Sequence, residues 1–174
     1  MVSHADGMNM TSTELPEAPE YRLAGLLIKY LVEDSTLAPY VYPEPWDRAD
    51  QCQGLAMAAQ QYSGVVAVLP QPPGLLPADS QAKTGTLAAR LVVVVLTTEN
   101  LHPDRGARQA AGLFYKLINA VMQWDPQSAG IPYALPQVEA IAELDTSKIT
   151  GLENLTGRDL TLSIPYNYKQ KIKQ

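Results

Sequence analysis

Between Arg90 and Glu99 the chain reads RLVVVVLTTE, and every position from Leu91 to Leu96 is apolar. A strand with one wet face alternates apolar and polar residues, whereas an unbroken apolar run belongs to a strand buried on both faces. The pattern predicts a main strand over Thr86 to Thr98, which helices or a neighbouring subunit must cover on both sides. The period then changes. From Pro103 to Trp124, Ala107, Ala110, Ala111, Phe114, Leu117, Ile118 and Val121 recur at helical spacing as a core face, and Arg105, Arg108, Gln109 and Lys116 form the wet face. Asn100 to Asp104 turns the chain between the two, with Pro103 suited to the first turn of a helix.

The rest of the chain divides in the same way. Residues 1–18 are polar and without period, which reads as a disordered arm. A helix follows: Pro19 suits its first turn, Glu17 and Glu20 complement its dipole, and Leu23, Leu26, Leu27, Tyr30 and Leu31 share one face. It ends before Pro39. Residues 39–46 (PYVYPEPW) hold three prolines and make a stiff extended segment. Its aromatics, Tyr40, Tyr42 and Trp46, either anchor a partner or pin the segment to the core. Asp47 opens a short second helix to Gln60 with Leu55, Ala56 and Ala59 inward, weakened by Gly54. Gly64 to Leu69 is a short valine-rich strand. Pro70 to Gly85, with four prolines and two glycines, reads as a long loop carrying Leu75 and Leu76.

Residues 125–136 form a second loop. Val138 to Leu144 alternates as a half-buried strand, Thr146 to Gly157 is rich in turns, and Arg158 to Tyr168 alternates again, with Leu160, Leu162, Ile164 and Tyr166 on one face. No internal repeat is present. The order predicts an α+β fold: a roughly four-stranded, mostly antiparallel sheet with two main helices packed on it. A doubly wound nucleotide-binding fold would need strands and helices to alternate throughout. One domain spans 19–168, between the arm 1–18 and a basic tail 169–174.

Composition changes this picture little. The chain has 174 residues, 46% hydrophobic, which suffices for one domain with a real core. The net charge of −5 argues against a surface built to hold phosphates. The only basic cluster is Lys169, Lys171 and Lys173, which reads as a solvated terminus. Cys52 is the single cysteine, so no intrachain disulfide forms and an oxidising compartment is not implied. No secretory leader pattern opens the chain, and no apolar run approaches the roughly 18 residues of a membrane span. The expectation is a protein of a reducing cytosol, or of something assembled there.

The search for chemistry yields little. His4 and His102 are far apart; His102 with Glu99 and Asp104 could gather at the end of the main strand, although a turn with a capping aspartate is the simpler reading. Ser63 in QYSGVV lacks the first glycine of a nucleophile elbow and precedes a strand rather than a helix. Cys52 sits near no histidine and reads as a core residue. No glycine-rich phosphate loop occurs. Glu139 and Glu143 lie an even number of residues apart and are expected to share one strand face, either a solvated face or a lining that repels passing DNA. Arg105 and Arg108 suit solvent or ion pairs between subunits better than an anion site.

Element order carries one resemblance. A helix (EYRLAGLLIKYL), a valine-rich strand (GVVAVLP), a Pro-rich excursion, the long strand (ARLVVVVLTTENLH), a single helix (ARQAAGLFYKLINAVMQW) and closing strands (VEAIAEL, GRDLTLSIPYNY) resemble the tail-terminator proteins of Mu-like contractile-tailed bacteriophages and, more distantly, the terminator of lambda-type tails. The resemblance covers roughly residues 18–168 and rests on order and texture rather than on an invariant motif. It implies a non-enzymatic virion protein of the tail neck, assembled in the host cytoplasm. Such a protein forms a homohexameric ring that caps tail tube and sheath, contacts the tube, sheath and head–tail connector proteins, and lets DNA pass through its lumen. It implies no cofactor, no metal and no membrane partner. Within that reading Leu75, Leu76, Arg105 and Arg108 are the candidate subunit-interface residues, and Glu139 and Glu143 the candidate lumen residues. The arm 1–18 and the 70–85 excursion depart from a compact terminator. Two alternatives share the texture: another head–tail connector or tail-completion protein, and a small enzyme binding substrate through residues 125–136 and His102.

Overall fold

The computed structural model describes residues 17–75, 84–98, 103–126 and 135–169, with the backbone alone at 74–75, 84–86, 103–107 and 166–169. Three helices, α1 (Pro19–Glu33), α2 (Cys52–Tyr62) and α3 (Pro103–Gln123), surround four strands, β1 (Gly64–Leu75), β2 (Thr84–Thr98), β3 (Gln137–Leu144) and β4 (Leu155–Lys169). The strands form one sheet in the order β1-β2-β4-β3, every neighbouring pair antiparallel. The α+β architecture expected from the element order is the one observed.

β2 is central, and its all-apolar run is shared between two cores. Leu91, Val93 and Val95 point to one face with Val66, Val68, Leu160, Leu162 and Ile164, under α1 and α3. Val94 and Leu96 point to the other with Val65 and Ala67, under Leu55 and Ala59 of α2, Leu152 of the connection into β4 and Leu155 at its start. The helices are therefore divided between the faces, two on one and one on the other. The short second helix makes the second cover. At about 25 cal/mol per Å² of apolar surface removed from water, such two-sided burial is a leading source of stability for the fold.

α1 starts on Pro19 without a side-chain cap and carries Glu20 in its first turn. Past its end, Asp34 accepts hydrogen bonds from the Thr36 hydroxyl (2.6 Å) and the Thr36 amide (2.9 Å). These bonds, the hydroxyl's first, hold its carboxyl below the ordinary value of 3.8. α1 and α3 are tied directly: the Tyr30 hydroxyl donates to the Ala120 carbonyl at 2.8 Å, and the Tyr30 and Trp124 rings lie 6.4 Å apart.

The Pro-rich segment between α1 and α2 is a strap along the outer edge of β1. Val41 bridges Val66 in parallel, and the amides of Tyr42 and Trp46 donate to the carbonyls of Val66 and Val68, each at 2.8 Å. Tyr40 packs toward the core under α1 and α3, Tyr42 and Trp46 toward the core under α2. The aromatics thus pin the strap to the domain itself. Gly54 belongs to this arrangement: a Cβ there would stand 3.2 Å from the Tyr42 hydroxyl. The glycine that weakens α2 as a helix lets the strap lie against it.

The excursion at 70–85 differs from its expected form. β1 continues through Pro70 to Leu75, and β2 begins at Thr84, with Gly74 opposite Ala88 and Leu75 opposite Leu87 after an irregularity between Gln71 and Gly74. Pro70 is in phase with Val66 and Val68, whose backbone faces the outer edge, and Pro72 and Pro73 fall in the irregularity, where neither pairs with β2, so all three are tolerated. Residues 76–83, with Leu76, lie outside the described residues, as do residues 1–16 and 170–174.

α2 passes straight into β1 through Ser63, whose φ of 62° is left-handed. This conformation costs a residue with a Cβ about 1 kcal/mol relative to glycine. A Ser63→Gly variant is expected to gain about 0.5–1 kcal/mol in urea unfolding with an unchanged slope; a loss of stability would show that the Ser63 side chain contributes more than its backbone costs.

Candidate functional site

The two edges of the sheet are built differently. On the β1 side, the strap occupies the carbonyls of Val66 and Val68, and prolines remove donors further along. On the other side β3 carries QVEAIAEL, with no proline and no lysine, the residues that usually blunt an edge. Its outer amides and carbonyls face no described strand.

β3 is exposed along almost its whole length, only Leu144 being half-buried. This corrects the half-buried strand expected from its alternation. The cause is the placing of the helices: α1 packs mainly on β1 and β2, and α3 on β2 and β4, rather than on β3. Val138 (38% exposed) and Ile141 (56%) therefore lie open on the α1/α3 side of the sheet. Helical periodicity puts Ala111, Tyr115, Ile118 and Met122 on the flank of α3 away from α1 and hence toward β3. Tyr115 (68%) and Met122 (65%) are exposed there. With Val138 and Ile141 of β3, Tyr115 and Met122 of α3 make up an exposed apolar set, or ledge, on this side of the sheet.

A bulge alters what the acidic residues can do. The register of β3 against β4 shifts between Val138 and Ala140, so Val138 faces Leu162 and Ala140 faces Thr161, with Glu139 the extra residue. Arg90 Nη2 lies 2.6 Å from Glu139 Oε2, which places Glu139 on the α2 side of the sheet. Glu143 stands opposite Arg158 on the α1/α3 side. The expectation that Glu139 and Glu143 share one face is therefore wrong; counting by twos fails across a bulge. They cannot line one surface together as side chains of a flat strand would.

The long strands run past β3. Gln137 lies opposite Ser163, while β4 continues to Lys169, paired with Thr84 of β2. The ends of β1, β2 and β4 thus form a three-stranded arm that extends the sheet beyond the level of β3. Leu75 lies in this arm. Of the other interface candidates, Leu76 lies outside the described residues, Arg105 is placed by its backbone in the first turns of α3, and Arg108 is exposed on the same helix. Of the expected arm, residues 1–16 likewise lie outside the described residues, as do Lys171 and Lys173.

No reactive constellation accompanies these surfaces among the described residues. His4, Glu99 and His102 are outside them, and no group of three or more His, Cys, Asp or Glu side chains converges as a metal site. Cys52 is buried, and burial pushes its thiol above the ordinary value of 9.0, so little thiolate forms near neutral pH. An open cleft of about 550 Å³ beside β3 is lined by Glu143, Asp145, Glu153 and Arg158. Asp145 is engaged there as a turn cap, accepting from the Ser147 hydroxyl and, at 3.2 Å, from the Ser147 amide. No described helix is long and apolar enough to cross a membrane.

Tyr115, Met122 and Ile141 were not legible as surface features. In the helix, Tyr115 and Met122 are a turn or two apart off the core stripe, a weak signal; in β3 the bulge hides that Val138 and Ile141 share a face. No protein-family model matches the chain, and no curated protein matches it significantly.

Asp159, opposite Val94 and Ala142 on the α2 side, is half-buried, and desolvation raises its carboxyl above the ordinary value of 3.8, against a hydrogen bond from the Ala142 amide. A carboxyl whose folded pKa is raised binds its proton more tightly when folded, so this group lowers stability as pH rises through 3.8 and up to the folded value. Asp159→Asn is expected to raise the thermal midpoint at pH 7, with the gain shrinking as pH falls through the raised folded value toward 3.8 and gone below it. A midpoint unchanged or lowered at pH 7 would mean that the carboxylate is better satisfied than its burial implies.

Proposed function

We propose that this chain is a structural phage tail protein, a tail terminator that caps the tail tube and sheath as a ring and joins the tail to the head connector. The observation that carries the reading is the one-sided incompleteness of the sheet. One edge is strapped and proline-blocked; the other is an open strand beside an apolar ledge. An unpaired strand edge with exposed apolar side chains on the same side of the sheet suits contact with another chain. A molecule with a closed side and an open side suits a heterologous contact, and a heterologous contact whose rotation closes generates a ring. The α+β scaffold and element order fit the resemblance to tail terminators. In this reading the arm carrying Leu75 reaches toward the neighbouring copy, and Arg108 on the wet face of α3 supplies charge near the contact. The tube, sheath and connector proteins are the partners, and DNA only passes through the lumen.

Two outcomes test the reading. Light scattering of the purified chain, alone and with isolated tail tubes, is expected to give the mass of a closed ring, hexameric by the resemblance, and tubes capped at one end. A chain that stays a monomer in both conditions and never caps a tube contradicts it. Ile141→Asp, at an exposed site, is expected to move folding stability by no more than about 0.5 kcal/mol while abolishing the ring; assembly unimpaired by this charge would remove the ledge from the interface.

A further inference from the structure

The strap on the far side of the sheet reveals which peptide groups the open edge offers. It takes the carbonyls of Val66 and Val68, so the backbone of these two residues points away from β2. In an antiparallel pair, residues directly opposite either exchange both bonds or both turn away. Val66 and Val68 stand opposite Val95 and Val93, which therefore turn to β4 and bond Arg158 and Leu160. Arg158 and Leu160 stand opposite Glu143 and Ile141, whose backbone is left pointing outward. Pro70, in the same phase, leads through Leu91 and Leu162 to Val138. The outward groups of β3 are thus those of Val138, Ile141 and Glu143. Ala142 has the opposite phase, and its amide turns inward to the Asp159 carboxyl.

The bulge makes this edge symmetrical. Along the chain Val138 is three residues from Ile141, and Glu143 only two. Yet the three lie opposite Leu162, Leu160 and Arg158, which are evenly spaced. With Glu139 as the extra residue of the bulge, the outward groups stand about 6.6 Å apart on either side of Ile141. An edge symmetrical about its middle is complementary to a copy of itself given a half-turn.

We infer that a second copy of this chain takes the edge: two β3 strands pair antiparallel about a two-fold axis at Ile141, join two sheets into one, and withhold the edge from the ring until the chain reaches a tail tube. The pairing stands on the backbone geometry alone; its role as a check on assembly rests on the ring reading.

In this register Ile141 exchanges both backbone bonds with Ile141 of the second copy, and Val138 does so with Glu143 in each direction. The side chains agree with it. The two Ile141 side chains meet on the α1/α3 side of the sheet, where Val138, Tyr115 and Met122 are also exposed. On the α2 side Ala140 comes opposite Ala142, both small. No carboxylate meets its like, which would be destabilising across a ladder. Glu143 comes opposite Val138, and Glu139 turns to Arg90 on the α2 side. No proline interrupts the strand. Because α3 packs on β2 and β4, the two α3 helices stay separated by both β3 strands. One edge cannot serve the pair and the ring at once. A ring gathers more copies than a pair, so by mass action dilution favours the pair, and concentration on a tube favours the ring.

Single cysteines test the axis. In a Cys52→Ser background under a mild oxidant, Ile141→Cys alone is expected to give a covalent dimer, because the Cα atoms of an exchanging pair lie about 5.5 Å apart, within disulfide reach. Val138→Cys alone is expected to remain single, its two copies lying on opposite sides of the axis, and to form covalent dimers when mixed with Glu143→Cys. Light scattering of the wild-type chain through a dilution series is expected to pass from rings to dimers. The oxidised Ile141→Cys dimer is expected to lose tube capping and to regain it on reduction. Rings that dilute straight to monomers, with no covalent dimer from Ile141→Cys or from the mixture, overturn the pairing and leave the ring reading standing. Covalent dimers that cap tubes as well as the reduced protein overturn the check on assembly. Dimers that never yield rings, even on tubes, overturn the ring reading and the check with it, and leave the pairing standing. A wild-type chain that is monomeric throughout overturns all three.

Discussion

The structure depends on burying β2 from both sides. Six consecutive apolar residues, Leu91 to Leu96, cannot be satisfied by one layer of helices, because alternate side chains point to opposite faces. Leu91, Val93 and Val95 require α1 and α3; Val94 and Leu96 require α2 and the connection before β4. Much else follows from this demand. The strap must hold α2 against the second face, Gly54 must admit Tyr42, and Ser63 must take a left-handed turn so that α2 can feed directly into β1.

The same demand determines what is left uncovered. With α1 and α3 drawn to β1, β2 and β4, no described helix remains for β3. The strand is held by its ladder to β4 and by the Arg90–Glu139 pair, an exposed ion pair of the kind worth at most about 1 kcal/mol. Packing contributes little there, and the side chains of Val138 and Ile141 stay in water together with Tyr115 and Met122 on the flank of α3. In the proposed reading these are the side chains that a neighbouring copy covers.

Much of the fold was legible in the sequence because the strongest patterns were also the structural ones. The change of period at Pro103 locates α3, and the valine runs locate β1 and β2. The unbroken run in β2 also announced two-sided burial. Two features resisted. The prolines between Pro70 and Pro77 read as loop because proline interrupts a ladder, yet β1 is an edge and tolerates them through Pro73. The alternation of β3 read as half-burial because alternation reports the strand and not its cover; whether a helix lies above it depends on tertiary packing. The candidate site was the least legible part. A bulge of one residue sends Glu139 and Glu143 to opposite faces, and nothing in QVEAIAEL announces it.

The central claim is that the β3 edge is the contact through which copies of this chain assemble. Amide hydrogen exchange across residues 137–144, compared between dilute monomer and assembled rings, tests it most directly. The account predicts fast exchange at the outward amides of β3 in the monomer and strong protection on assembly, with little change in the β1 amides beneath the strap. Equal exchange of β3 in the two states would contradict it.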